Sequence, residues 1–348
     1  MSITAIDLFC GCGGFSFGFE KAGINVVAGI DNDPQCIKTY EKNLSGKAIL
    51  YDITKIQDPK KFLEEHAGIR EVDIVFGSPP CQTFSIAGVV KLKSLGINPQ
   101  SDQRYGLWKD FIRFVTVLKP SYFVMENVPG IMSTEIPNFV VKITEKYGYR
   151  CGVITLDAVN FGVPQKRKRI FICGSKNGEI SLPVRDENTR INTVWDAISD
   201  LPEIPCGHKN NVMEYDKKPL SDYQKKMRAN SKMLYNHVTK QHSEKNLKVF
   251  SSLREGEIYS NRCDAFRDRY RRLKWNEPSW TLVAHMSKDM NRYIHPSQLR
   301  SISVRESARL QSFPDTFIFP VSMTQALKQI GNAVPPLLSE IIARSILR

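Results

Sequence analysis

A cysteine that follows two prolines has the setting most suggestive of chemistry in this 348-residue chain. Pro79, Pro80 and Cys81 come directly after a short apolar run that predicts a strand. The prolines stiffen the backbone and prevent a regular central strand from continuing. They would hold Cys81 at the carboxyl edge of a parallel sheet, where the active sites of such folds lie. A thiolate there could act as a nucleophile; a small buried apolar cysteine is the alternative, and the proline pair favours the nucleophile.

A glutamate follows the next apolar run. Burying the carboxylate of Glu126 is costly unless it has partners, and near Cys81 it would form a pair of acid and nucleophile. The alternative is a surface glutamate at a strand end. Downstream, Gln165, Arg167 and Arg169 alternate along an extended segment, so their side chains could share one face and meet a carboxylate and a polar ring. A localisation signal or a solvated charge run would explain the same residues.

A glycine-rich turn, DLFCGCGGF, comes after the first apolar run. Glycines in this position let the backbone approach a ligand at the edge of a parallel sheet. Asp31 follows the second run, where a carboxylate could hold ribose hydroxyls, and Asp52 follows the third. The residue at position 16 is Ser16, so the glycine pattern of dinucleotide-binding dehydrogenases is absent. The turn predicts a nucleoside-cofactor site of another kind, with ordinary turn glycines as the alternative.

The elements that must position these residues alternate along the first half of the chain. Strands separated by helices imply crossover connections and an open, doubly wound α/β fold with a mostly parallel sheet covered on both faces. The fourth helix carries Phe111, Val115 and Leu118 as a buried stripe. The predicted strands are 3–9, 25–30, 47–51, 72–77, 121–127, 151–156 and 169–174. The predicted helices are 14–22, 34–43, 58–66, 105–118 and 134–147.

The second half differs in composition and charge. Residues 183–325 predict a smaller mixed domain, whereas 1–182 and 326–348 form the larger one, because helical periodicity returns near the C-terminus. The formal charge is +13, and residues 201–280 hold 17 Lys and Arg against 10 Asp and Glu. This excess suits contacts with DNA phosphates, and a solvated helix face is the alternative. The basic stripe consists of Arg262, Arg267, Arg269, Arg271, Arg272 and Lys274.

Cysteine usage and hydropathy suggest a cytoplasmic setting. The eight cysteines form no CxxC pair, which favours reduced thiols over a disulfide scaffold. We see no signal peptide, and no apolar stretch reaches the roughly 20 residues that a membrane span requires. Cys206, His208, His237 and His242 raise the question of zinc, but their spacing matches no common pattern, so we expect no metal.

Six short blocks, taken together, resemble the motifs of the DNA (cytosine-5)-methyltransferases, in particular the compact bacterial members that accompany restriction endonucleases. The blocks span the chain from Ile6 to about Leu338 in the family's usual order: DLFCGCGG, PPCQ, ENV, QKRKR, RESARLQSFPD and QIGNAVPP. The resemblance implies a Rossmann-like domain for S-adenosylmethionine and a target-recognition domain for double-stranded DNA with a short specific sequence. We expect a monomer in the bacterial cytoplasm, with a cognate restriction endonuclease as a genetic rather than a physical partner.

The resemblance also assigns roles to residues. Cys81 adds to carbon 6 of a flipped-out cytosine, Glu126 acts at ring nitrogen 3, and Arg169 with Arg167 contacts the base carbonyl. The residue after the ribose carboxylate is often aromatic in the family but is Asn32 here, which bears on cofactor affinity. The implied cofactor site consists of Phe9, Gly11, Gly13, Asp31, Asp52, Ile53, Pro80, Leu107, Asn332 and Ala333. The expected DNA contacts are Gln82, Ser85, Arg104, Gln165, Arg267, Arg269, Arg271 and Arg272, with 82–104 closing over the base.

Three other functions fit part of this pattern. A transfer-RNA cytosine-5 methyltransferase would share Cys81, Glu126 and the cofactor site, but PPCQTFS and the long basic insert favour the DNA enzymes. An inactive DNA-binding protein is disfavoured because the nucleophile, the acid and the arginines are all present. The glycine spacing disfavours a nicotinamide-dependent dehydrogenase.

Overall fold

The computed structural model describes residues 2–80, 102–187, 189–259 and 270–347, with the side chains of Gln103 and Arg104 excepted. Several predicted site residues therefore lie outside the described part of the chain, namely Cys81, Gln82, Ser85, Arg267 and Arg269, together with the side chain of Arg104 and most of the segment 82–104.

The chain forms two compact units. The first comprises Met1–Asp157, Lys168–Arg185 and Leu338–Arg348, and the second comprises Ala158–Arg167 and Asp186–Leu337. The predicted domains were 1–182 with 326–348, and 183–325. Two short segments, 158–167 and 326–337, group with the second unit instead. No helix in the described part of the chain is long and apolar enough to cross a membrane.

The first unit is built on a seven-stranded sheet in the order β3-β2-β1-β4-β5-β7-β6. The neighbours from β3 to β5 pair in parallel, whereas β7 runs antiparallel to both β5 and β6. All four residues of β4 are buried, as expected for a strand covered on both faces. The doubly wound, mostly parallel fold is therefore confirmed. The strands are β1 Thr4–Leu8, β2 Asn25–Asp31, β3 Lys47–Leu50, β4 Ile74–Gly77, β5 Tyr122–Asn127, β6 Arg150–Asp157 and β7 Lys168–Ser175.

Helices cover this sheet, and their starts follow ordinary capping rules. Asp33 accepts a hydrogen bond from the backbone N–H of Gln35, and Pro34 stands at the first helical position of α2. The predicted stripe of the fourth helix is buried. In this unit the helices are α1 Gly14–Lys21, α2 Pro34–Asn43, α3 Pro59–Ala67, α4 Leu107–Leu118 and α5 Ile136–Glu145.

The second unit consists of short helices and two-residue strands. Its helices are α6 Val194–Ile198, α7 Asp222–Arg228, α8 Glu244–Ser252, α9 Val304–Leu310 and α10 Met323–Asn332. Its strands are β8 Val212–Met213, β9 Leu234–Tyr235, β10 Arg271–Arg272 and β11 Tyr293–Ile294. The final helix, α11 Pro336–Ile346, follows a pair of prolines that ends α10, and most of it belongs to the first unit.

Ion pairs stabilise the interior of the second unit. Arg300 forms a bidentate pair with Glu306, at 2.7 and 2.8 Å, and Arg309 pairs with Asp315 at 2.7 Å. Asp200 is a second partner of the Arg309 guanidinium. All of these side chains are fully buried. The block RESARLQSFPD is therefore a buried framework, in which removing one partner would leave an uncompensated charge.

Candidate active site

The carboxyl ends of β1 to β5 lie at one edge of the first unit, because these strands run in parallel. Asp31 ends β2, and its two carboxylate oxygens accept hydrogen bonds from the backbone N–H groups of Gly11 and Asp33, each at 2.9 Å. Burial raises the pKa of the Asp31 carboxyl above its usual value. These contacts fix the carboxylate beside the glycine-rich turn, where the sequence predicted it.

The backbone of the turn leaves room for a ligand. Phe9 has a φ of 62°, a left-handed conformation that costs a non-glycine residue about 1–3 kcal/mol and is typical of functional sites. Gly11 has a φ of +55°, and a Cβ atom there would meet nothing within 4 Å. The turn thus presents open backbone at the position expected for the cofactor.

Buried groups behind the turn hold it in place. Tyr40 donates a hydrogen bond to Ser16, and Ser16 donates one to Asp7 at 2.6 Å. Burial, with a smaller contribution from Asp31, raises the pKa of the Asp7 carboxyl well above its usual value. Burial also raises the pKa of the Cys12 thiol to about 12, so this thiol stays protonated and unreactive at neutral pH.

The remaining predicted cofactor residues of this unit lie at the ends of the following strands. Asp52 follows β3 and accepts hydrogen bonds from the N–H and hydroxyl of Thr54, while Ile53 is buried in the core. Pro80 follows β4, and Leu107 begins α4. The structure thus places the predicted residues of the first unit at successive strand ends and at the start of the helix that follows β4.

A buried polar atom without a partner lies at the same edge. Ser78 follows β4, and its backbone N–H donates to the carbonyl of Leu8 at 3.3 Å. Within the described ranges, its hydroxyl oxygen is buried and has no hydrogen-bond partner. Buried hydroxyls are nearly always satisfied in folded proteins, so this atom fits an edge that is completed by a polar ligand.

The predicted acid is held by an arginine and lies close to the proline pair. Glu126 ends β5 with one residue to spare, and Arg169 of β7 pairs with it at 2.8 Å, both side chains being largely buried. The next residue, Asn127, donates its side-chain amide to the carbonyl of Pro79 at 3.2 Å. This bond ties the ENV block to the PPC block, so the residue that Cys81 directly follows lies beside the strand end that bears Glu126.

Gln165 and Arg167 do not share a target with Arg169. Both belong to the segment Ala158–Arg167 of the second unit and are fully buried. The Arg167 guanidinium donates to the carbonyls of Leu282, Gly331 and Ala333, which are backbone groups of the same unit. Alternation along the segment did not predict this, because the chain leaves the first unit at Asp157 and returns to it at Lys168.

The arginines of the basic stripe that the structure describes also differ from each other. Arg272 is buried, and its guanidinium donates to the carbonyls of Phe250, His295 and Pro296. Arg271 is half-buried and lies over the ring of Trp280. Arg272 therefore supports the fold of this region, a role that a count of basic residues cannot distinguish from a phosphate contact.

The residues that raised the question of zinc bind other partners. His237 contacts Ser303 and the carbonyl of Pro202, and His242 contacts Asn291 and Ser301. Over the residues that the structure describes, no group of three or more potential metal ligands is found.

Comparison with known proteins agrees with this geometry. The family model for C-5 cytosine-specific DNA methylase matches residues 3–348. The type II methyltransferase M.DdeI of Desulfomicrobium norvegicum is 33% identical over 99% of this chain and 88% of its own length. The type II methyltransferase M1.HphI of Haemophilus parahaemolyticus is 35% identical over 100% and 87%.

Solved structures show the same architecture. An E. coli structure, described as a DNA modification methyltransferase encoded within a prophage, superposes with a TM-score of 0.83 at 27% identity and covers 99% of both chains. The Dnmt2 methyltransferase of S. pombe, at 15% identity and a TM-score of 0.62, shares the fold. The chain belongs to the family of C-5 cytosine-specific DNA methylases, as its ordered sequence motifs predicted.

Proposed function

We propose that this enzyme transfers the methyl group of S-adenosylmethionine to carbon 5 of a specific cytosine in double-stranded DNA, through a transient bond between Cys81 and a base turned out of the duplex. The observation that carries the proposal is the pair of contacts at the ends of β4 and β5. Asn127 holds Pro79, and Arg169 holds Glu126 at 2.8 Å. A nucleophile that follows Pro80 and an oriented acid are thereby brought to one strand edge.

The chemistry follows from what each side chain can do. Carbon 5 of cytosine is a poor nucleophile, so the Cys81 thiolate first forms a bond to carbon 6, and the electron pair of the ring double bond moves towards nitrogen 3. Glu126 donates a proton or hydrogen bond at nitrogen 3 and stabilises the developing charge. Arg169 orients Glu126 and lies near enough to this carboxylate to support the base carbonyl as well. After methyl transfer, loss of the proton from carbon 5 releases Cys81 and restores the ring.

The residues of the first unit fit a nucleoside sulfonium cofactor. Asp31 retains lone pairs for ribose hydroxyls because each carboxylate oxygen accepts only one backbone N–H in the hydrogen bonds described above. The open space at Gly11 and the unsatisfied Ser78 hydroxyl supply room and a polar contact. When bound, the cofactor supplies an electrophilic methyl group; the protein supplies its position and the exclusion of water.

The base must leave the stack before any of this chemistry, at a cost of a few kcal/mol. We propose that 82–104 closes over it and that the region 183–325 reads the target sequence, with arginine and lysine side chains on phosphates. The similarity to type II methyltransferases suggests that the modification protects DNA from a partner restriction endonuclease.

Bisulfite sequencing of DNA from a host without its own cytosine-5 methylation tests this proposal. Expression of the chain should protect one cytosine within one short sequence from conversion, and expression of Cys81→Ala to the same level should protect none. Transfer of labelled methyl groups to transfer RNA but not to duplex DNA would overturn the choice of substrate.

A further inference from the structure

We propose that Arg167 and Gln311 are positioning residues, which hold the backbone of the turn 331–333 so that Asn332 is presented to the methyl donor in a fixed geometry. The inference rests on the proposed function, because the assignment of Asn332 and Ala333 to the cofactor comes from the family resemblance. It gives Arg167 a different role from contact with the base, and it brings in Gln311, which the sequence motifs did not single out.

Arg167 binds both ends of the turn. Its Nη2 donates to the carbonyls of Gly331 at 2.9 Å and Ala333 at 3.0 Å, and its Nη1 donates to the carbonyl of Leu282 at 2.8 Å. The side chain is 0% exposed. A planar guanidinium with its donors fixed in a fork determines the relative position of these carbonyls, which a flexible lysine would not do.

Gln311 forms a second connection to the turn. Its side-chain amide donates to the carbonyl of Ala333 at 2.7 Å, and its carbonyl oxygen accepts from the side chain of Gln165 at 2.5 Å. Gln165 in turn donates to the carbonyl of Leu310 at 3.1 Å and accepts from the N–H of Leu282 at 2.9 Å. The carbonyl of Ala333 thus receives two side-chain donors, from Arg167 and Gln311, within one buried network.

The opposite side of the turn is fixed by packing. A Cβ atom on Gly331 would lie within 2.5 Å of the carbonyl carbon of Val283 and 2.7 Å of the Cα of Ala284, so the end of α10 rests directly on this backbone. Between these two constraints the side chain of Asn332 is exposed. An exposed polar side chain on a turn held from both sides is preorganised for a ligand, because little conformational freedom is lost on binding.

The test uses two glutamines of the same unit. Gln311→Met keeps the length of the side chain and removes the amide that binds Ala333. The matched control is Gln224→Met, because Gln224 is also fully buried and donates to the carbonyl of Trp195 and the hydroxyl of Ser199, whereas none of its hydrogen bonds goes to residues 331–333. Both variants lose a buried amide, so both should be destabilised to a similar extent in thermal melts.

Only Gln311→Met should weaken cofactor binding. We expect its Kd for S-adenosylhomocysteine, from calorimetry, to rise about tenfold, the effect of one lost buried hydrogen bond. The Kd of Gln224→Met should equal that of the wild type. Amide hydrogen exchange should accelerate over 330–334 in Gln311→Met alone. If Gln311→Met does not fold, Gln311→Asn, which retains the amide on a shorter side chain, should give the same pattern.

Two results would overturn the proposal: unchanged exchange at the turn in Gln311→Met, or equal loss of cofactor affinity in both variants. A failure of the proposed function would look different, since the wild type itself would then bind no S-adenosylhomocysteine. In that case accelerated exchange at 330–334 in Gln311→Met alone would still support the positioning role, and its absence would refute it.

Discussion

Two buried histidines of the second unit should make the stability of the protein fall steeply below pH 6.5. His237 and His295 are 0% and 2% exposed. Burial lowers the pKa of His237 to about 4 and that of His295 to about 3, although the nearby carboxylate of Glu306 opposes the shift in both. Both rings are therefore neutral in the folded state across the range in which they titrate in the unfolded chain.

The sign and magnitude follow from proton linkage. Between pH 6.5 and about 4 the unfolded chain binds a proton at each histidine and the folded state does not, so stability decreases as pH falls. Each group contributes about 1.4 kcal/mol per pH unit, and the pair should therefore cost about 4 kcal/mol between neutral pH and pH 5. Burial opposes the charge of Glu306, but Arg300 holds the pKa of this carboxyl well below its usual range, so its effect begins only under more acid conditions.

Urea denaturation at pH 7, 6 and 5 measures this effect, with tryptophan fluorescence as the probe, because Trp195, Trp275 and Trp280 all lie in the second unit. The variants His237→Gln and His295→Gln should each reduce the slope of unfolding free energy against pH by about 1.4 kcal/mol per unit relative to the wild type. Comparison with the wild type cancels contributions from other groups, such as Asp7. Parallel slopes for the wild type and both variants would refute the reasoning.

Three further predictions concern other parts of the molecule. Glu126→Gln should lower kcat at least 100-fold with little change in the Kd for DNA, since it removes the proton donor and leaves the shape; equal losses in both would indicate a structural role. Asp31→Asn should weaken binding of S-adenosylhomocysteine roughly tenfold in calorimetry, because one carboxylate acceptor is lost, and an unchanged Kd would remove Asp31 from the site. Asp315→Asn should reduce the unfolding free energy by about 3–5 kcal/mol, since Arg309 loses a buried partner, and a loss below about 1 kcal/mol would show that the network is not needed for stability.

The sequence predicted the first unit well because its signals are local. Each buried strand is a short apolar run between turn residues, so the limits of β1 to β7 agree with the prediction to within one or two residues. Glycines and carboxylates at strand ends could be assigned to one edge because parallel strands share it. The contact between Asn127 and Pro79 follows from the pairing of β4 with β5, and the sequence places these strands in neighbouring positions without specifying that bond.

The second unit could not be predicted in the same way. Its strands are two residues long, and its interior is held by charged side chains, such as Arg300 and Glu306, that carry no hydrophobic period. Residues such as Arg167 and Arg272 appear from sequence to be available for nucleic acid, yet their donors are occupied by backbone carbonyls. Which arginine is a framework residue depends on contacts over 20 to 165 positions, and no local pattern encodes them.

The central claim is that Cys81 bonds to the target base. A duplex with 5-fluorocytosine at the mapped target position, incubated with the enzyme and S-adenosylmethionine, tests it directly, because fluorine cannot be removed as the proton is. We predict a complex that survives denaturation, with the mass of the protein plus one methylated strand, and none with Cys81→Ser. Normal methylation of the unsubstituted duplex without any trapped complex on the fluorinated one would contradict the account.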